Sequence, residues 1–168
     1  MAGGDLERFV KAQDQPGAGF ASALEEMRAG EKEGHWIWYV LPQLAGLGSS
    51  PMARLYGLDG VQEARAYLRH PVLAPRLLLM VRVIAEHAAR GADLTTLMGS
   101  DIDALKLVSS LTLFGAVARG DGDPSHLSLA QLAEEILGRA EAQGFPRCEY
   151  TLEQLDRDRV LPRRAPAD

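Results

Sequence analysis

Apolar residues recur along most of this chain at intervals of three and four, the spacing that lines one face of an α-helix. Leu6, Phe9, Val10 and Gln13 share a face behind Asp5, which is placed to cap a short first helix. Phe20, Leu24 and Met27 mark a second helix, which Gly30 should stop. Asp59-Gly60-Val61-Gln62 reads as a capping box that opens a helix through Leu68. Pro71 stands at the first position of a long helix whose stripe runs Leu73, Leu77, Met80, Val81, Ile84, Ala88 and closes at Gly91. After the cap at Ser100, apolar side chains from Ile102 to Phe114 surround nearly the whole circumference, as in a central helix. Ser128 opens the next helix, with Leu129, Leu132, Ile136 and Leu137 inward, and Thr151 begins one last turn.

One segment breaks the helical pattern. Trp36 to Leu41 is rich in β-forming residues but has no partner run, and a lone strand leaves its backbone groups unpaired. A helix or a buried extended segment is expected there, ended by Pro42. The reading is an all-α fold: a compact single multihelical domain of about six or seven helices over residues 1–155, with a frayed, charged, Pro-bearing tail at 156–168.

Composition narrows the function classes. Of 168 residues, 46% are hydrophobic and 24% charged, as in a soluble domain, and the formal net charge of −5 has no basic blocks. No nucleic-acid partner is expected on that balance. No apolar run reaches the length of a membrane span, no secretory leader is expected, and the reading is cytoplasmic. A single cysteine, Cys148, excludes an internal disulfide and a thiolate zinc site, and no metal or cofactor motif is present.

Candidate chemistry concentrates in three places. Both tryptophans, Trp36 and Trp38, lie between His35 and Gln43. They can serve as core anchors whose indole N–H groups donate to backbone carbonyls. The polar pair framing them must find partners or face a cleft, and with a stacking surface this suits a planar ligand. The loop Gly46-Leu47-Gly48-Ser49-Ser50 leads into a helix, where backbone N–H groups can meet a phosphate or carboxylate. Asp103, Lys106 and Ser110 lie three and four residues apart on one face of the central helix, with Ser109 beside them. At the surface, Asp103 and Lys106 form an ordinary ion pair. If buried, they must be paired or face a cavity. His70 precedes Pro71 and can cap its helix or join the ligand site, while His87 and His126 read as surface residues. The charged face around Glu25, Glu26, Arg28, Glu31 and Lys32 reads as solvated surface.

Ordered motifs run nearly the full chain: Asp5-Leu6-Glu7-Arg8-Phe9-Val10, His35-Trp36-Ile37-Trp38 with Pro42-Gln43, Gly46-Leu47-Gly48-Ser49-Ser50, Tyr67-Leu68-Arg69-His70-Pro71, and Asp103-Ala104-Leu105-Lys106-Leu107 with Thr112-Leu113-Phe114. In these the chain resembles the uncharacterised bacterial domain-of-unknown-function family numbered 1810. The resemblance implies a multihelical single domain and brings no established reaction. Members are sometimes called calpastatin, but that inhibitor is a disordered repeat protein, and this chain has neither its composition nor its repeats. Phe20 stands where the family pattern usually has Tyr.

Two functional readings follow. In the first, a pocket binds a small planar, phosphate-bearing or nucleotide-like molecule. If that site is hydrolytic, His35 or Asp103 acts as acid/base and Lys106 steadies negative charge. Trp36, Trp38, Gln43, Gly48, Ser49, Ser50, His70, Ser109 and Ser110 would contact the ligand. In the second, the chain is a non-enzymatic module that binds a protein partner or forms a homo-oligomer.

Overall fold

The computed structural model describes residues 5–160. Among these there is no strand. The order is α1 (Glu7–Gln13), α2 (Phe20–Arg28), α3 (Ile37–Val40), α4 (Pro51–Tyr56), α5 (Gly60–Arg69), α6 (Leu73–Ala89), α7 (Leu94–Met98), α8 (Asp101–Gly120), α9 (Leu127–Ala142) and α10 (Glu149–Val160). The all-α expectation is met, with ten helices in place of six or seven. The difference is α3, α4 and α7, of four, six and five residues, too short to display a helical period. Isolated helices of that size do not persist in water, so packing holds them.

Helix α8 is the central element. It packs against α3, α5, α7, α9 and α10, and its Leu107, Val108, Leu111, Leu113 and Phe114 are fully buried. Its first two turns depart from the expected all-round burial: Ile102 and Leu105 are 66% and 48% exposed. Ser100 caps it as expected, its hydroxyl accepting from Asp103 N–H at 3.1 Å. An aromatic stack ties α8 to α5 and α1, with Tyr67 5.2 Å from Phe114 and edge-on to Phe9 at 5.3 Å.

Several boundaries differ for local reasons. Pro71 stays in the turn and α6 starts at Leu73, because the His70 imidazole accepts from the N–H groups of Val72 and Leu73. The α5 box forms by half, and through Glu63, not Gln62: the Glu63 carboxylate accepts from Asp59 N–H at 3.0 Å and from Arg8 at 2.7 Å, while the Asp59 side chain makes no cap bond. His126, read as surface, is held by Asp121 in the turn before α9. The chain is helical to Val160, where fraying was expected from 156, and Arg65 on α5 grips Asp158 at 2.5 Å. The rest of the expected tail, 161–168, lies outside the described residues.

The Trp segment takes both forms expected of it. Ile37–Val40 makes one helical turn, which ends before Pro42 because a residue preceding proline disfavours the α conformation. The chain then runs extended, with Leu58 N–H bonded to Gln43 O and Ala45 N–H to Leu58 O, both at 2.9 Å. Gly46 follows at φ +98°, and a Cβ there would lie 2.6 Å from the Tyr150 hydroxyl. That hydroxyl donates to Ala45 O at 3.2 Å and ties the loop to α10.

Candidate ligand-binding site

The two tryptophans separate. Trp36 is 1% exposed, and its indole N–H donates to the Glu26 carboxylate at 2.9 Å, not to the backbone carbonyl expected. Trp38 is half-buried and faces an open depression of about 470 Å³. Of the residues expected at a site, Trp38, Gln43, the Gly48–Ser50 loop, Lys106 and Ser109 line that depression. Leu47, Ile102 and Leu105 complete its apolar part.

Lys106 is the cation of the depression. Its Nζ sits 3.8 Å from the centre of the Trp38 ring and 3.2 Å from Asp103 Oδ1. One of its three N–H donors is used among the described residues, so the ammonium has capacity for another acceptor. The Gln43 side-chain amide makes no hydrogen bond among the described residues. The Ser50 hydroxyl accepts from Ala53 N–H and caps α4, which has only six residues. The loop is therefore a wall, and the positive charge comes from Lys106, not from a helix terminus.

Asp103 does not line the depression. Its other oxygen is held by Lys32 at 2.6 Å, and the Lys32 side chain is 4% exposed. Lys32 also donates to Gly34 O and lies 5.1 Å from the Trp36 ring. The backbone puts it there: Lys32 N–H bonds Leu97 O at 3.0 Å, and Gly99, at φ +87°, would place a Cβ 2.8 Å from Lys32 O. Glu26 completes the group by accepting from Glu33 N–H, Gly34 N–H and the Trp36 indole. Glu26 and Lys32 were read as solvated surface; the structure makes them the support beneath the site. Nothing in their spacing marks this, because Asp103 is 71 residues away from Lys32.

Burial pushes the Asp103 carboxyl up, but the hydrogen bonds and charges of Lys32 and Lys106 outweigh it and hold it below its ordinary value. Burial likewise raises Glu26. The N–H groups of Gly34, Trp36 and Glu33, together with the Lys32 charge, outweigh it and the net direction is down. Groups depressed in the folded state contribute stability above the ordinary carboxylate range, and that stability is lost as pH falls through the folded values. Urea denaturation from about pH 6 to about pH 3 should show the gap between wild type and Asp103→Asn shrinking as the pH drops below about 4. A gap independent of pH would show that Asp103 is not paired as described.

The other expected residues lie elsewhere. His35 is exposed and outside the depression. Trp36 is core. His70 belongs to the α5–α6 turn, with Nε2 4.0 Å from Glu7. Ser110 is fully buried inside α8, its hydroxyl without a partner among the described residues. Among the described residues no cluster of three His, Cys, Asp or Glu is placed to hold a metal ion, and no helix is long and apolar enough to cross a membrane.

None of the curated proteins matches the chain. Among solved structures, the conserved hypothetical protein Rv1873 from Mycobacterium tuberculosis is 36% identical, with 89% of this chain and 94% of that chain covered at a TM-score of 0.70. Residues 3–143 match the sequence profile of the family described as "Protein of unknown function (DUF1810)". The chain belongs to that family.

Proposed function

We propose that the protein binds a small planar molecule bearing an anionic group, of the nucleotide type, in the depression between the Gly48–Ser50 loop and the first turns of α8. One observation carries the reading: Lys106 is fixed over the Trp38 ring by Asp103, with donors to spare, on the lining of a hollow of ligand size. A planar group would rest against Trp38 and Leu47, and its anion would take the free Lys106 N–H groups and the Ser49 hydroxyl. The Gln43 amide would read the edge of the ring.

The lining brings no imidazole and no carboxylate to the hollow, so the reading stops at binding. Asp103, anionic with both oxygens engaged, is suited to orienting Lys106 and not to exchanging protons. The test is a thermal-shift titration with adenosine monophosphate. At about ten times Kd, the ligand should raise the wild-type Tm by roughly 3–6 °C, and Lys106→Ala should abolish the shift. An unchanged Tm in wild type refutes the reading.

A second reading, self-association or partner binding, rests on the exposure of Ile102 and Leu105. A dimer in size-exclusion chromatography that dissociates in Leu105→Glu would favour it.

A further inference from the structure

A second hollow adjoins the first. It is an open groove of about 940 Å³ between α8, the end of α9 and the start of α10, and it shares Leu105 and Ser109 with the Lys106 depression. The two hollows therefore lie on either side of one ridge of α8. Apolar groups dominate the second: Leu105, Pro146 and Leu152 line it, with Cys148 and the edge of the buried Val108. Leu152 is 40% exposed, and beside the groove Tyr150, 37% exposed, ties α10 to the loop at Ala45.

A free mononucleotide would leave this groove empty and its apolar rim wet. We infer that the ligand is amphiphilic: the planar anionic head in the Lys106 depression carries an aliphatic chain that crosses Leu105 and lies along Pro146 and Leu152. This rests on the reading of the Lys106 depression given above and names the class of ligand it takes. Charge and continuity select that occupant. The cation with open donors stands at one end, the apolar lining at the other, and the same two residues border both. A second copy of the chain fits less well. Ile102, Leu105, Tyr150 and Leu152 are four exposed apolar side chains interrupted by a ridge, with Glu141, Arg147 and Glu149 on the groove. A stable interface takes roughly 20–30 residues a side.

The probes are ethyl phosphate and n-octyl phosphate, titrated calorimetrically below the micelle concentration of the longer one, with adenosine monophosphate in parallel. Full burial of one methylene is worth about a fourfold change in affinity, and a half-covered chain about twofold. Octyl phosphate should therefore bind at least about tenfold tighter than ethyl phosphate. Leu152→Glu should remove that advantage while leaving ethyl phosphate binding unchanged, and Lys106→Ala should weaken both.

Equal affinity for the two chain lengths, with Lys106-dependent binding of adenosine monophosphate, would overturn this inference and leave the binding reading standing. No binding of any of the three probes would end both. A chain-length advantage that survives Lys106→Ala would mean a bare apolar groove and overturn the amphiphilic assignment. A concentration-dependent dimer that octyl phosphate does not compete would assign the groove to a second copy and overturn it too.

Discussion

Trp36→Ala should lower the stability of the domain by about 4 kcal/mol, the usual cost of emptying a large buried aromatic site. Trp38→Ala should cost about 1 kcal/mol, since it removes a half-buried ring and one cation–π contact. Trp36 is enclosed at 1% exposure, and its indole N–H satisfies a carboxylate that also holds the Glu33–Gly34 backbone. Its loss leaves a cavity and frees one of three donors that keep Glu26 anionic. Trp38 is half-buried at the edge of the depression, with Lys106 over its ring. Ligand binding should respond in the opposite order, with Trp38→Ala folding normally and losing affinity. Urea denaturation of both variants checks the split. Equal losses of stability would show that the two rings share one role.

Lys32→Ala should cost about 3 kcal/mol, because removing one member of a buried pair strands the other. For a domain of this length that is a fall in Tm of roughly 6–12 °C. The residue left behind is Asp103, whose carboxylate would then keep only the longer contact to Lys106 at 3.2 Å. Lys106→Ala, by contrast, should cost under about 1 kcal/mol, since Asp103 stays bound to Lys32 and Lys106 is nearer solvent. A Lys32→Met, Asp103→Asn double variant should recover part of the loss of Lys32→Met alone, as residues coupled in one network do. Thermal melts of the four proteins measure this. Fully additive losses would mean that the two side chains do not interact in solution.

The chain announces its longer helices and hides its shorter ones. In α6 and α9 the apolar stripe spans sixteen or more residues and reads directly as a period of 3.6. Helices α3, α4 and α7 span one turn or little more, and their stability comes from the elements they touch. Helix α10 was expected as a single turn; charges fill Asp156 to Arg159, and among residues 149–159 Thr151 and Leu155 are buried. Its anchor, Asp158, bonds to a residue 93 positions away. Such a pair leaves no trace in local spacing.

The candidate site was legible by the same logic and failed by it. Trp38, Gln43, the Gly–Ser loop, Lys106 and Ser109 stood out as scarce aromatic and polar residues on segments otherwise apolar, and the fold gathers them around one hollow. Ser110 and Trp36 shared that pattern and are core, because face and depth are set by tertiary packing. Lys32 and Glu26 were overlooked for the reverse reason. They sit in a charged stretch of the sequence, yet Gly30, at φ +86°, turns the chain after α2 and sends Lys32 between α7 and α8. A charged residue on the return path of a loop can be buried when a carboxylate waits for it.

The central claim is that the hollow at Lys106 and Trp38 is where a planar anion binds. Two-dimensional ¹⁵N–¹H correlation spectra recorded while adenosine monophosphate is added test it residue by residue. The account predicts saturable shifts at the Trp38 indole and at the amides of Gly48, Ser49, Ser50 and Lys106, with the Trp36 indole still. Shifts confined to other surfaces, or none at any concentration of nucleotide, would contradict it.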